Sequence, residues 1–320
     1  MKNSISLFVS CLLVTFLCFV AGCRPLQINT LTDRFAPSNV RQWSPELAAA
    51  PSAVITNDTV QIKNIRNLNY VTKDDFVVNY FDRTIRLNDI QSVDFIVTPF
   101  PIAPALAHTM LSFGLADGSY LGVSVEVRSE IGEKYSPLLG VGNQFELTYV
   151  VADERDLIRL RTRHRDDDVY VYPTIASAEQ SRELFVSVME RANKLYDDPE
   201  FYHSIVNNCT SNLVDHINDL KPNRVGFSWR ALLPGFSAEY AYDLGLLDKR
   251  VPFEDLHTIA YINDLAETYH DSADFSQRIR SRRSSIDRLA QGQLERNAGL
   301  NAAGQQFLDE RIATDPFRYR

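Results

Sequence analysis

Two hydrophobic periods succeed one another along this chain, and their order restricts the fold more than any other feature. Up to about residue 151 apolar side chains come in short strand-like runs: 54–55, 59–62, 76–80, 93–97, 111–115, 120–127 and 145–151. Asp117-Gly118 joins two of them as a hairpin. The stretch 157–165 alternates at the same period, with Arg159, Arg161, Arg163 and Arg165 on one side, and is expected to be a further strand. From Ser177 the period lengthens. Leu184, Phe185, Val188, Ala192 and Leu195 form a stripe at helical spacing, and Ser177 with Gln180 makes a capping box at its start. Pro199 separates this helix from a second one beginning at Asn208. Strands first and helices afterwards define an α+β protein built on an antiparallel sheet.

The ends of the chain carry different information. Lys2 precedes a nearly unbroken apolar run over 5–20, about 16 residues and too short to span a bilayer comfortably. It has the form of a signal-peptide core, and it closes on Val20-Ala21-Gly22-Cys23, a lipobox-like sequence in which small residues precede a thiol able to accept a diacylglyceryl group. Residues 1–22 are therefore expected to be removed, Cys23 to be lipidated, and the protein to be held on a membrane of the cell envelope. Arg24, standing where an aspartate would retain a lipoprotein at the inner membrane, points to the outer membrane. Residues 23–50, rich in Pro, Ser, Ala and Asn, have the composition of a tether. A folded domain is expected over 51–253, followed by a polar helical extension over 254–320. No other run approaches the length of a membrane span, and a net charge of −8 disfavours nucleic acid as a partner.

Of the four cysteines, Cys11 and Cys18 leave with the signal and Cys23 carries lipid, so Cys209 alone keeps a thiol. In an oxidising compartment an unpaired cysteine is either buried and inert or kept for its reactivity. Asn207-Asn208-Cys209-Thr210-Ser211 sets Asn208 as an N-cap and Cys209 in the first helical turn, where open N–H groups and the helix dipole favour a thiolate. The competing reading is that Cys209, on one stripe with Leu213 and Ile217, is simply a small core residue.

A thiolate nucleophile needs a base. His216 lies about 10 Å further along the same helix, His203 is in a connection, His257 and His270 fall in the polar tail, and His164 stands among arginines and aspartates. His108 instead opens the apolar run His108-Thr109-Met110-Leu111-Ser112-Phe113-Gly114. If Ala116-Asp117-Gly118 is a three-residue loop, Leu115 pairs with Ser119, Met110 with Ser124, and His108 lands opposite Glu126. A two-residue loop would set Glu126 against Thr109 on the other face. Both remain open at this level.

Several separated motifs together resemble one family. His108 to Gly114, Ser124-Val125-Glu126-Val127-Arg128, Asp153-Glu154-Arg155-Asp156-Leu157-Ile158 and Asn207-Asn208-Cys209-Thr210 look like the Lnb N-terminal periplasmic domain family. Asn64-Ile65-Arg66-Asn67, Trp229-Arg230 and Pro234-Gly235 follow the same pattern. The resemblance covers roughly residues 43 to 250. It implies a circularly permuted papain-like fold with a cysteine-bearing helix, Cys209 as nucleophile, His108 as base, and Glu126 or Ser124 as third member. Family members include lipoprotein N-acyltransferases, which carry a membrane-spanning C-terminal part that this chain replaces with a polar helical tail.

The expected function is thus acyl transfer or acyl hydrolysis through a thioester on Cys209, with an acyl lipid or lipoprotein as substrate. Asn208, Arg128 and Arg161 are the candidate substrate-binding residues; the arginine strip suits phosphate-bearing headgroups but fits a solvated, ion-paired strand better. Two alternatives stand beside it: a non-catalytic envelope lipoprotein that binds a lipid or an envelope protein, and a peptidase or amidase acting on cell-wall peptide. No metal-ligand spacing, phosphate-cradling glycine loop or Gly-x-Ser-x-Gly elbow is present, so neither a metal nor another cofactor is expected.

Overall fold

A computed structural model describes residues 36–136 and 139–296. The signal-like segment, the lipobox and Cys23 lie outside these residues. The chain divides into two units, 1–38 and 39–320, and everything below concerns the second.

The body is an eight-stranded sheet. Its strands are β1 (Ser52–Ile55), β2 (Thr59–Arg66), β5 (Tyr80–Arg86), β6 (Ile90–Phe100), β7 (Ala103–Leu115), β8 (Tyr120–Arg128), β9 (Glu146–Asp153) and β10 (Tyr170–Pro173); β3 (Asn69–Tyr70) and β4 (Phe76–Val77) form a separate ribbon. The order across the sheet is β1-β2-β9-β8-β7-β6-β10, with β5 also paired to β2. Every pairing is antiparallel except a single parallel bridge between Arg66 of β2 and Ala152 of β9.

Both faces of the central strands are covered, which is why they read as nearly continuous apolar runs rather than clean alternation. On one face Leu111, Phe113, Val123 and Val125 pack against Leu184, Phe185, Val188 and Met189 of α2 (Ala178–Asp197, numbered after α1 below). Helix α3 (Cys209–Leu220) adds Leu213 to the same core. On the opposite face Ile96, Met110, Val150 and Ala152 meet α1 (Glu154–Arg159) and later helices.

The β7–β8 hairpin closes by a three-residue loop. The Leu115 N–H donates to the Ser119 carbonyl at 2.9 Å, Gly118 takes φ +82°, and Met110 pairs with Ser124. Only a residue tolerant of the left-handed region fits at 118, so a glycine decides the register of the whole hairpin.

Three stretches differ from the sequence reading. Residues 157–165 are not a strand. Asp153 caps α1 by accepting from the Arg155 N–H, and a π-helical turn, Leu160–Arg165, follows and ends on Asp166 in the left-handed conformation. Arg159 and Arg163, like Arg161 and Arg165, are four apart, so a helix splits the strip into two faces that a strand would have kept together.

The segment expected to be tether up to residue 50 is docked from Asn39 onward. Trp43 is 8% exposed and bridges Glu130. Arg128 lies over its ring at 4.3 Å. Polar composition concealed this because one tryptophan and a few backbone carbonyls supply the contact.

The stretch read as a polar tail is woven into the core. α5 (Ser237–Asp243), α6 (Phe253–Ala260), α7 (Asn263–Thr268) and α8 (Phe275–Arg278) follow the short helix α4 (Trp229–Leu232). Leu256, Ile259, Ile262, Ala266, Phe275 and Ile279 are buried on the sheet. Arg280 is buried too, held by Asp94 at 2.8 Å and by Glu154, with Ser112 within reach and the Tyr120 ring 3.6 Å away. Among the described residues no helix is long and apolar enough to cross a membrane.

Candidate functional site

The site forms where β7, β8 and the start of α3 meet. His108 lies near the beginning of β7, paired with Thr98 of β6. Ser124 and Glu126 are two apart on β8 and so share a face; the hairpin register turns that face toward His108. The Ser124 hydroxyl lies 2.6 Å from His108 Nε2 and donates to Glu126 Oε1 at 2.6 Å, while Nε2 and that carboxylate oxygen are 3.3 Å apart. Arg161 reaches the same Oε1 at 3.3 Å from the π-helical turn. Four sequence candidates therefore form one hydrogen-bonded chain, with Arg161 and Ser124 buried and Glu126 and His108 partly exposed.

Cys209 is the first residue of α3, placed by the Asn207-Asn208 pair. Asn208 Oδ1 accepts from the Thr210 and Ser211 N–H groups at 2.9 and 3.0 Å, and the Ser211 hydroxyl accepts the Asn208 N–H in return. Asn208 Nδ2 donates to the Ser204 carbonyl, and Asn212 ties the Asn207 side chain and the Asn208 carbonyl at 2.9 Å each. Such a cap leaves the first turn little freedom. The candidate binding residue Asn208 thus has both ends of its amide engaged in holding Cys209.

Electrostatics couple the two halves. Burial pushes the Cys209 thiol up, but the charge of His108, a hydrogen bond from its imidazole and the Thr109 backbone N–H pull it down to about 7. Burial pushes His108 down, and the Glu126 carboxylate with Cys209 outweighs it, lifting the imidazole to about 9. Glu126 is held well below the usual carboxylate range: burial opposes its charge, and His108, Arg161 and the Ser124 hydroxyl overcome that. Both shifts run toward a thiolate–imidazolium pair. Nε2 is occupied by Ser124 and Glu126, which leaves Nδ1 for the sulfur.

A cleft of about 300 Å³ opens over this pair. Cys209, His108, Glu126, Asn208 and Arg161 line it, together with Tyr135, Tyr202, Leu232 and Pro234. Arg165 stands at its rim with Asp167, and Arg66 and Tyr70 close another side. Arg66 is fixed there by a bidentate pair with Asp156 at 3.1 and 2.8 Å, and Asp156 also accepts from the Leu68 N–H. Arg66, Tyr70, Glu46, Leu47 and Tyr202 were not chosen from the sequence as site residues. The Asn64-Ile65-Arg66-Asn67 motif was the available signal for the first of them. Gly235 has a steric task here. A Cβ on it would lie 1.9 Å from the Pro104 carbonyl oxygen, so only glycine lets Pro234 close against the start of β7.

Arg128 stands apart from the cleft. Its guanidinium donates to the carbonyls of Leu47 and Ala48 at 3.1 Å each and to Asn39 Oδ1 at 2.8 Å, which fastens residues 39–48 to the end of β8. The expectation that it binds substrate gives way to this anchoring role, because all its donors point at the chain itself. His216 is likewise engaged elsewhere, between Ser187 and Tyr149 at 2.8 Å each, and burial drives it down to about 4. His257 stacks on Tyr170, and the His203 ring closes its own turn. Among the described histidines, His108 alone shares a site with Cys209.

Residues 77–235 match the sequence model of the Lnb N-terminal periplasmic domain family. The chain carries a domain of this family. The match begins within β4, ends beside Gly235, and so spans the Cys209–His108 pair of the Lnb-type domain and the strands that position it. The family's periplasmic description fits a place in the cell envelope. Residues 39–76 and 236–296, which hold Arg66 and Arg280, extend the Lnb-type domain on either side. No curated protein and no solved structure matches the chain.

Proposed function

We propose that the Lnb-type domain is a cysteine acyltransferase or acyl hydrolase that works through a thioester on Cys209. The observation that carries this reading is the placement of one imidazole between a buried thiol and a serine–carboxylate relay. A core cysteine needs no charge partner. This one faces an imidazole whose protonated form is stabilised by Glu126 from behind. A strand histidine ahead of a helix cysteine agrees with the circularly permuted papain-like order that the family resemblance implies.

The chemistry follows from the geometry. The Cys209 thiolate adds to an ester carbonyl, and the oxyanion that develops lies at the start of α3. Asn208 occupies the Thr210 and Ser211 donors, so the Cys209 N–H is the first-turn donor left for that oxygen. As the C–O bond breaks, His108 gives its Nδ1 proton to the leaving oxygen, and an acyl thioester remains. An amine or water then adds to the thioester while His108 takes its proton back, and the C–S bond breaks to restore the thiolate. Throughout, Ser124 and Glu126 hold the ring through Nε2.

Lipidation at Cys23 would confine the domain to a surface rich in acyl lipids, which supports a lipid or lipoprotein substrate over a soluble peptide. Mass spectrometry of the protein incubated with phospholipid vesicles tests the proposal. A hydroxylamine-labile acyl mass on the Cys209 peptide is expected. Its absence, with cleavage of a cell-wall peptide by the same protein, would replace acyl transfer with a peptidase activity.

A further inference from the structure

Several of the exposed large apolar side chains of this domain lie on segments that adjoin the Cys209 cleft. Exposed aliphatic residues scattered singly are ordinary; a convergence from separate loops is not. Ile102, fully exposed, caps the β6–β7 turn two residues beyond Phe100 of the cleft wall. Ile205 and Val206 are exposed in the turn between Tyr202 and Asn208, which both line the cleft. Phe227 is 93% exposed and Trp229 57%, in the segment that leads to Leu232 and Pro234 of the cleft.

These loops touch one another. Gly235 packs against Pro104 and Ala105 just after Ile102, and the Trp229 ring meets Phe236 at 5.2 Å. On the other flank the Ser204 N–H donates to the Gly140 carbonyl at 3.0 Å, which brings exposed Leu139 and Val141 beside Ile205. Arg165, Asp167 and Glu46 add polar groups to the cleft lining.

We infer that this apolar rim is an interfacial docking surface that seats the Cys209 cleft on a lipid bilayer. The occupant follows from two features on the page. Residues 5–23 form an export-type apolar segment that ends on Cys23 in a lipobox-like setting, and lipidation there would bring the domain to a membrane and no nearer to any particular protein. The rim itself mixes tryptophan, phenylalanine and branched aliphatics on separate short loops without forming a groove. Such an array enters the headgroup and upper acyl region of a bilayer, where tryptophan is favoured. The fifteen residues between Cys23 and Asn39 give a reach of up to about 55 Å, enough to let the rim turn toward the surface that would hold the anchor. The surface stands whether or not Cys209 turns over.

The two tryptophans of the chain make the test direct, because Trp43 is buried and Trp229 is not. The full chain is reconstituted in phosphatidylethanolamine–phosphatidylglycerol vesicles with or without brominated acyl chains. Trp229 emission is expected to shift to the blue, to be lost in brominated vesicles and to be shielded from iodide, and Trp229→Phe should remove that quenched component. The Trp43→Phe protein isolates the same signal, while the wild-type against Trp229→Phe comparison needs no change in the core. The double variant Ile102→Ser with Phe227→Ser should lose the quenching yet alkylate at Cys209 at the wild-type rate. Trp229 open to iodide and unaffected by brominated lipid would overturn the inference. Shielding from both quenchers would overturn it as well, and would mean that a second copy or another protein covers the face.

Discussion

Ser124 stands between His108 and Glu126, 2.6 Å from Nε2 of the one and 2.6 Å from Oε1 of the other. A hydroxyl in that position accepts from the imidazole and donates to the carboxylate at once, so a neutral residue transmits the charge of Glu126 to the ring. The direct approach of the two charged groups, at 3.3 Å, is longer than either step. Removing the hydroxyl therefore weakens the coupling without abolishing it, whereas removing the carboxylate leaves an imidazolium with no counter-ion behind it. Thiolate formation at Cys209 should fall about threefold to tenfold in Ser124→Ala and by more in Glu126→Gln, measured as the rate of iodoacetamide alkylation at pH 7. Equal rates in all three proteins would disconnect the relay from the thiol.

The thiol itself should titrate early. Alkylation of Cys209 is expected to reach half its maximal rate near pH 7, the value set by His108 and the Thr109 N–H against burial. In His108→Ala the midpoint should move above the roughly 8.5 of a free thiol, because burial then acts unopposed. A thiol that resists alkylation in the folded protein would mark Cys209 as a core residue.

Stability should depend on pH in the opposite sense at the two ends of the relay. His108 is raised to about 9 from the roughly 6.5 of an unfolded chain. Its contribution is complete below about pH 6.5 and lost as pH climbs through 9. Glu126 is depressed, so its contribution is present above about pH 4.3 and lost in acid. Urea unfolding of wild type and His108→Gln should show a difference largest between about pH 5 and 6.5. That difference should shrink by on the order of 2 kcal/mol toward pH 10. A difference that does not change with pH would contradict the ion pair.

Arg280 holds two buried carboxylates from a position far along the chain. Arg280→Met leaves Glu154 without its cation and Asp94 with Arg283 alone, which lies 2.8 Å from it. The expected loss is about 3–5 kcal/mol in urea unfolding, the usual cost of breaking one side of a buried pair. A loss below about 1 kcal/mol would show that the segment 275–286 is held by its apolar contacts alone.

Export is tested at the other end. Cys23→Ser cannot form a thioether, so labelled fatty acid should no longer be incorporated and the precursor should accumulate. Continued labelling of that variant would rule out Cys23 as the lipidation site.

The sequence by itself determined what depends on neighbours a few residues apart. Asn208 and Ser211 specify where α3 begins, Ser177 and Gln180 specify the start of α2, and both boxes close within a single turn. His108 could be singled out among six histidines because it opens an apolar strand. The hairpin stopped one step short of legible: two loop lengths were compatible with Asp117-Gly118, and the bond from Leu115 to Ser119 selected between them. Only the tertiary structure decided the rest. The alternation of the arginine strip pointed to a strand, and what overrides it is the Asp153 cap together with Asp156 pairing to Arg66, 90 residues away. The docking of Trp43, the burial of Arg280 against Asp94 and Glu154, and the closure of the cleft by Arg66 and Tyr70 share the same character. Each is an energy between groups that the chain keeps far apart until the sheet brings them together, so no local pattern can encode it.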